Sequence, residues 1–252
     1  MASRSSRYGW VRDLPDHRDH VLTLAPQAAL PASVDLRPLC PAVYNQGDLG
    51  SCTANAIGAA IEFDQRKQKL VPLFTPSRLF IYYNERALTN QTAFDSGAQI
   101  RDGIKVVASQ GVCPEPQWPY MEARLTIRPT AGCFAIAKQH PAVSYSRVTQ
   151  SLSDMKTCLA AGFPFVFGFT VFPGFESPEV QRTGQLDLPS SSDAPIGGHA
   201  VMAVGYNDVS NRFLIRNSWG AAWGMGGYFT MPYAYATDPN LASDLWTIRT
   251  VK

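Results

Sequence analysis

Apolar residues follow a helical spacing in the first half of the chain and form short runs in the second half. Apolar side chains three or four positions apart predict amphipathic helices. The segments predicted to be helical are residues 51–69, 75–88, 97–111 and 151–162. The second opens on Thr75 and Pro76, which suit a helix cap and first turn, and the third stops at Gly111.

Beyond residue 163 the pattern changes to β-branched and aromatic runs bounded by Gly, Pro, Asn and Asp, which is typical of strands and turns. These runs are FPFVFGFTVF, HAVMAVGYN, RFLIRNSWG, GYFTMPY and DLWTIRTV. Helices that precede strands along a chain predict an α+β fold, whose two lobes can form a cleft between them.

Residues 1–32 show no periodic apolar pattern, and their RDLPDHRDH segment is charged and interrupted by proline. A disordered or loosely docked tail is the ordinary interpretation of such a terminus. Globular sequence begins near LPASVDLRP. The sequence therefore predicts an N-terminal arm that precedes the folded domain.

Composition and charge argue against two kinds of partner, nucleic acids and membranes. A formal net charge of +2 in 252 residues gives no reason to expect a nucleic-acid partner. No stretch approaches the roughly 20 apolar residues of a membrane helix, and the N-terminus lacks the apolar core of a secretory signal. We therefore expect no membrane association and, by default, a cytoplasmic protein, with export by another route left open.

Five cysteines, an odd number without any CxxC pair, exclude a dense disulfide framework and argue against an all-thiolate zinc site. Without a secretory signal most of them are expected to be reduced. We predict no metal and no cofactor. The pairing of Cys40, Cys113, Cys133 and Cys158 stays open.

Cys52 lies where the first predicted helix begins, after Gly50 and a candidate cap, Ser51. A thiol in the first turn of a helix experiences the positive end of the dipole, which favours the nucleophilic thiolate. The alternative is a buried cysteine that serves only as a small hydrophobic residue.

His199 differs from the other three histidines because it opens an apolar strand after two glycines. His17 and His20 lie in the charged arm, where solvated side chains are expected, and His140 precedes Pro141 in a predicted linker. Taken alone, His199 would be interpreted as a core histidine with one hydrogen bond. Imidazole is nevertheless the side chain best suited to exchange protons near neutral pH.

Two further residues complete a possible acyl-transfer site. Asn217 could accept an N–H from an imidazole, with Trp219 and Trp223 shielding that bond, although a tight aromatic turn is the simpler alternative. The Gln46 amide and the Cys52 N–H could form an oxyanion hole. Nucleophile, base, orienting group and oxyanion donors together follow the logic of thiol acyl transfer.

From about residue 31 to the C-terminus, the chain resembles the papain family of cysteine peptidases. LPASVDLRP resembles the mature N-terminus, NQGDLGSCTANA the nucleophile motif, GHAVMAVGY the histidine strand and RNSWGAAWGMGGY the asparagine motif. The resemblance implies that Cys52 is the nucleophile, His199 the general base and acid, Asn217 the orienting residue and Gln46 the oxyanion donor.

The resemblance also implies a papain-like two-lobe fold with the active-site cleft between the lobes. The peptidase domain would span residues 33–252. Its helical left lobe would cover about residues 43–143, and its β-barrel-like right lobe about residues 144–252 plus 33–42.

The chain departs from the family pattern at several positions. Leu49 stands where the family usually carries a cysteine, and the position of its disulfide partner falls near Asp95, so both halves of that bond are missing. Thr53 replaces a bulky aromatic residue. The glycine pair that binds substrate backbone becomes Gly97-Ala98, whose Cβ can crowd the approach.

On alignment, Ile100 is a candidate wall of the main specificity pocket. Gly198 and Trp219 complete the candidate substrate-binding set. The family's long inhibitory pro-segment is absent, as in small bacterial members of the family, and we hypothesise that residues 1–32 lie over or beside the cleft as a short latch.

The sequence therefore predicts a monomeric cysteine endopeptidase that acts on peptide or protein substrates. The alternatives are a papain-like transpeptidase or amidase, and a non-catalytic pseudoenzyme that binds peptides.

Overall fold

A first lobe of the molecule is built on helices. The structure is a computed structural model that describes residues 7–24 and 29–251. The helices of this lobe are α1 (Cys52–Lys67), α2 (Arg78–Ala87), α3 (Ile100–Ser109) and α4 (Ala131–Ala137). All residues of α1 from Cys52 to Gln65 are buried, because its small alanine-rich faces contact α2, α3 and the neighbouring sheet. Helix α1 is thus the wall that the two lobes share.

Helix α2 begins two residues later than its sequence indicates. The cap is Ser77, whose Oγ accepts a hydrogen bond from the Phe80 N–H at 3.1 Å. The predicted cap at Thr75 and Pro76 is therefore wrong, and Pro76 instead forms an isolated bridge with Pro114. The other three predicted helices are present, the last as α5 (Leu152–Ala160).

The second lobe is a seven-stranded antiparallel sheet with the order β2-β7-β3-β4-β5-β6, to which β1 adds by pairing with β4. Its strands are β1 (Ser33–Asp35), β2 (Ala142–Arg147), β3 (Phe165–Val171), β4 (Gly197–Asn207), β5 (Arg212–Arg216), β6 (Tyr228–Pro232) and β7 (Ala242–Val251). Two short helices, α6 (Pro178–Thr183) and α7 (Tyr233–Thr237), complete the fold. The α+β class and papain-like architecture are confirmed. The β-barrel-like lobe is corrected to an open sheet, since β2 and β6 do not pair with each other.

Two hydrophobic cores lie on opposite faces of this sheet. One joins α1, α2 and α3 to residues of β4 and β7, such as Met202 and Trp246. The other is rich in phenylalanine and includes Phe167, Phe169 and Phe229. Burial on both faces explains why β3 is a nearly continuous apolar run instead of an alternating one.

All five cysteines lie in the described part of the chain and are free. Among the described residues, no group of three or more His, Cys, Asp and Glu side chains could hold a metal ion. No helix in residues 7–24 and 29–251 is both long and apolar enough to cross a membrane.

Candidate active site

Cys52 is the first residue of α1 and is fully buried. Its sulfur lies against the backbone N–H of Ala200, the residue that follows His199 on β4. Ser51 occupies the cap position, but its hydroxyl makes no capping bond because it pairs with the Tyr120 hydroxyl at 2.5 Å. The helix start therefore brings the thiol to the shared wall, beside the predicted base.

His199 and Asn217 form a buried hydrogen-bonded pair. His199 Nε2 lies 2.9 Å from Asn217 Oδ1, and the Ser218 N–H donates to the same oxygen at 2.8 Å. Because that oxygen acts as an acceptor, Nε2 carries the hydrogen and Nδ1 presents its lone pair. Nδ1 has no hydrogen-bond partner among the described residues, so it can exchange a proton with a neighbouring group.

An aromatic cluster encloses this pair. The Trp219 ring centroid lies 5.1 Å from that of His199, and Phe169 and Phe175 lie at 5.8 and 6.1 Å. Trp223 contacts Trp219 edge-on at 5.4 Å. Trp219 thus packs directly against His199, and Trp223 packs behind Trp219.

Gln46 is buried beside the nucleophile and is held by residues on both sides. Its Oε1 accepts from Ser218 Oγ at 2.6 Å, and its backbone N–H donates to the Ser218 carbonyl at 2.9 Å. Its Nε2 donates to Leu49 O at 2.9 Å and to Arg7 O, in the arm, at 3.0 Å. Ser218 was not singled out from the sequence, although its place directly after Asn217 would have been the signal.

Burial controls the protonation of the two reactive groups. It raises the pKa of the Cys52 thiol to about 11, against the opposing effect of backbone N–H groups of Ala200, Gly9 and Thr53. Burial also lowers the pKa of His199 to about 4, although the Asn217 hydrogen bond opposes this shift. The expected stabilisation of the thiolate at the helix start is therefore outweighed by desolvation, and both groups are neutral in this state.

The first described residues of the arm run through the cleft. Ala98 N donates to Gly9 O at 2.8 Å, and Ala98 O accepts from Val11 N at 3.0 Å. Trp10 N donates to Gly198 O at 3.0 Å. The backbone groups predicted to bind substrate are therefore bound to the arm, and the Ala98 Cβ does not prevent the pairing.

Two of the other predicted substrate-binding residues occupy different environments. Gly97 has φ +70°, and a Cβ there would lie 2.2 Å from Gly9 O, so the close approach of the arm requires glycine. Ile100 is fully buried at the first residue of α3, in the core of the helical lobe. Ile100 shares the hydrophobic core that also contains Cys52, and its role as a wall of the specificity pocket stays a prediction.

Ion pairs anchor the next part of the arm to both lobes. Arg101 on α3 donates to the two oxygens of Asp19 at 3.0 and 2.6 Å, and Arg147 on β2 donates to Asp19 at 2.9 Å. Asp13 is buried and accepts from Arg101 N at 3.1 Å and Trp246 Nε1 at 3.0 Å. The aspartates of this segment therefore attach the arm to the two lobes. His17 and His20 are exposed, as predicted.

The family departures have structural counterparts. Gly50 N donates to Asp95 Oδ2 at 2.9 Å, so a hydrogen bond joins the two segments that the missing disulfide would connect. Leu49 is buried in the helical core. Thr53 Oγ1 donates to Glu85 Oε2 at 2.8 Å, inside the lobe and behind the nucleophile. Glu85 was not anticipated from the sequence.

Comparisons with known proteins agree with this architecture. Residues 30–246 match the family described as papain family cysteine protease. The chain is 42% identical to an uncharacterized peptidase C1-like protein of Acanthamoeba polyphaga mimivirus, over 98% of this chain and 88% of that protein. Xylellain, a cysteine protease from Xylella fastidiosa, is 45% identical with a TM-score of 0.92, covering 98% of this chain and 97% of that one.

A procathepsin B from Trypanosoma congolense shares the fold at 16% identity, with a TM-score of 0.76 over 98% of this chain and 87% of that one. The likeness to xylellain confirms the predicted resemblance to the small bacterial members.

Proposed function

Because the chain belongs to the papain family of cysteine proteases, it is a hydrolase of peptide bonds, and we propose that Cys52, His199, Asn217 and Gln46 carry out its reaction. The observation that carries the proposal is the buried His199–Asn217 pair, in which His199 Nδ1 is unpaired among the described residues, on the strand whose next residue, Ala200, places its N–H against the Cys52 sulfur. The comparisons favour neither a transpeptidase nor a pseudoenzyme.

The reaction begins when substrate replaces the arm in the cleft. His199 Nδ1 takes the thiol proton of Cys52, and the sulfur attacks the carbonyl carbon of the scissile bond. The carbonyl oxygen becomes an oxyanion, which Gln46 Nε2 and the Cys52 N–H hold. His199 then returns the proton to the leaving nitrogen, the C–N bond breaks, and a thioester remains on Cys52.

Water completes the cycle. His199 removes a proton from water while the water oxygen bonds to the carbonyl carbon of the thioester. The C–S bond then breaks, the carboxylic acid is released, and His199 returns the proton to the sulfur of Cys52. Asn217 keeps the hydrogen on His199 Nε2, so Nδ1 stays available in both halves of the reaction. Trp219 keeps water away from that hydrogen bond.

The assignment is tested with Cys52→Ala in the full chain. We expect complete loss of cleavage of a small fluorogenic peptide and loss of labelling by a peptide epoxide, with the thermal midpoint largely retained. Cys40→Ala is the matched control, because Cys40 is a free cysteine outside this cluster and should leave both readouts intact. Cleavage by Cys52→Ala at the rate of the unaltered protein would refute the mechanism.

The arm of residues 1–32 is further proposed to act as an intramolecular latch. Three contacts support this role. Arg7 O accepts a hydrogen bond from the side-chain amide of Gln46, Gly9 lies against the Cys52 sulfur, and the Trp10 N–H donates to Gly198 O. Because the segment is tethered to the domain, it competes with substrate at an effective concentration on the order of millimolar. Residues 1–6 and 25–28 of the proposed latch lie outside the described residues.

Gly9→Ala tests the latch with a single methyl group. A Cβ at this position would lie 1.6 Å from Gly50 O, a backbone atom that cannot move aside cheaply. The variant should expel the segment and raise kcat/KM for a small peptide. Val11→Ala, which shortens an exposed side chain, should change nothing. Unchanged or lower turnover by folded Gly9→Ala would sink the latch.

The division into an arm of residues 1–32 and a peptidase domain of residues 33–252 is proposed on the same basis. The cytoplasmic location and the monomeric state stay predictions from the sequence.

A further inference from the structure

The indole of Trp10 occupies a flat seat formed by glycines of two paired strands. A Cβ on Gly168 of β3 would lie 1.9 Å from Trp10 Cε2, and a Cβ on Gly198 of β4 would lie 2.7 Å from Trp10 Cε3. Any side chain at either position would therefore fill the space that the ring uses. Glycine inside a strand often marks such a close approach, and here it makes room for a large planar group.

A buried carboxylate closes the far end of this seat. Trp10 Nε1 donates to Asp244 Oδ2 at 3.0 Å, and Asp13 N donates to the same oxygen at 2.7 Å. Asp244 is 2% exposed, and Arg147 reaches its other oxygen at 3.3 Å. Both donors to Oδ2 belong to the arm. When the arm leaves, this oxygen loses both donors, and a bound side chain that covers it again must supply a donor in their place.

The seat adjoins the place where a substrate would react. Gly9, directly before Trp10, lies against the Cys52 sulfur, and the backbone of Trp10 and Val11 pairs with Gly198 and Ala98. A peptide that crosses the nucleophile and uses the same backbone groups places one side chain over the two glycines. The inference that follows rests on the proposed function, since it assumes that substrate takes the path of the arm.

We propose that the seat of Trp10 is the enzyme's main specificity pocket, and that Asp244 selects peptides with a large aromatic side chain bearing a hydrogen-bond donor, above all tryptophan. The selection comes from the donor: an indole N–H satisfies Asp244 Oδ2, whereas an aromatic ring without a donor leaves that acceptor buried and unpaired.

The charges around the pocket explain why tryptophan fits better than arginine or lysine. With the arm removed, Asp13 and Asp19 leave, while Asp244 keeps Arg147 at 3.3 Å. The pocket carboxylate, that of Asp244, is then already paired with a guanidinium group. A cationic side chain would meet like charge there, whereas a neutral donor meets only the acceptor.

The test measures binding to a full chain that carries Gly9→Ala to expel the arm from the cleft, Trp10→Ala to keep the indole from returning to the seat, and Cys52→Ala to prevent turnover. The probes are fluorescently labelled, glycine-rich hexapeptides that differ at one residue, which is tryptophan, 3-benzothienylalanine or arginine. Benzothienylalanine has the shape of tryptophan but replaces its N–H by sulfur. Fluorescence anisotropy gives the Kd of each peptide.

We expect the tryptophan peptide to bind about tenfold more tightly than the benzothienylalanine peptide, and the arginine peptide to bind more weakly than the tryptophan peptide. Asp244→Gly should abolish the difference between the two aromatic peptides, since glycine suits the φ of +61° at this position. Asp244→Asn, whose amide oxygen still accepts a hydrogen bond, should retain part of it.

Equal binding of the two aromatic peptides with Asp244 intact would overturn the proposal, and so would a preference for arginine. This comparison needs no Asp244 variant and therefore holds even if Asp244→Gly does not fold. Binding is measured without turnover, so the outcomes separate. Selective binding combined with no cleavage by the protein with Cys52 intact would contradict the proposed function alone, whereas cleavage without selectivity would contradict the pocket alone.

Discussion

Asp19→Ala would loosen the arm at a point distant from the chemistry. Asp19 accepts from Arg101 Nε at 3.0 Å and Nη2 at 2.6 Å, and from Arg147 Nη1 at 2.9 Å. The side chains of Asp19 and Arg101 are only 11% and 5% exposed. Removing one partner of a buried pair costs about 3–5 kcal/mol, but this pair lies at the edge of the domain, so we take about 2 kcal/mol.

A cost of about 2 kcal/mol to the docked arm shifts the ratio of closed to open molecules by about 30-fold. The kcat/KM of full-length Asp19→Ala for a small fluorogenic peptide should rise toward that factor, up to the limit set when most molecules are open.

Asp16→Ala is the matched control for this experiment. Asp16 pairs with Arg18 of the same arm, and the hydrogen bonds of its side chain stay within the arm. Its removal should therefore leave turnover unchanged. If Asp19→Ala folds normally and yet cleaves peptide no faster than Asp16→Ala, the ion pairs do not hold the cleft closed and the reasoning fails.

Two further predictions concern groups behind the nucleophile. Asn217→Ala removes the acceptor that fixes the tautomer of His199, so kcat should fall about 10- to 1,000-fold with little change in KM; an unchanged kcat would contradict the orienting role. Burial raises the pKa of Glu85 from 4.5 to about 8, so the folded state holds a proton that the unfolded chain releases, and stability falls as pH rises through this window. Glu85→Gln removes that loss, and its thermal midpoint should exceed that of the unaltered protein by an amount that grows from pH 4.5 to pH 8; parallel profiles would argue against a buried neutral carboxyl.

Local patterns in the sequence predicted a large part of the fold. The periodicity of residues 51–69 gave α1 with Cys52 at its first turn, and the short aromatic runs gave β3 to β7. The predictions that were wrong concern details that depend on contacts with other parts of the chain. Ser77, not Thr75, caps α2, and the strands form an open sheet instead of a closed barrel-like lobe.

The pKa of the Cys52 thiol is a second property that local sequence patterns did not predict correctly, this time in the active site. The helix start was visible in the sequence, and its dipole does favour the thiolate. Burial raises the pKa of this thiol, and the backbone groups that lie against its sulfur include Gly9 of the arm and Ala200 of β4, which are far from Cys52 along the chain. Desolvation depends on everything packed around a group, and a local pattern carries no information about that.

The sequence alone thus determined which residues could react, because nucleophile, base and orienting group belong to short motifs whose residue types are set by their chemistry. It also distinguished the arm by its charges and its lack of an apolar period. Only the tertiary structure decided where the arm binds. The bond between Trp10 and Asp244 joins residues 234 positions apart, and such a contact follows from how the lobes and the arm pack, which no local pattern specifies.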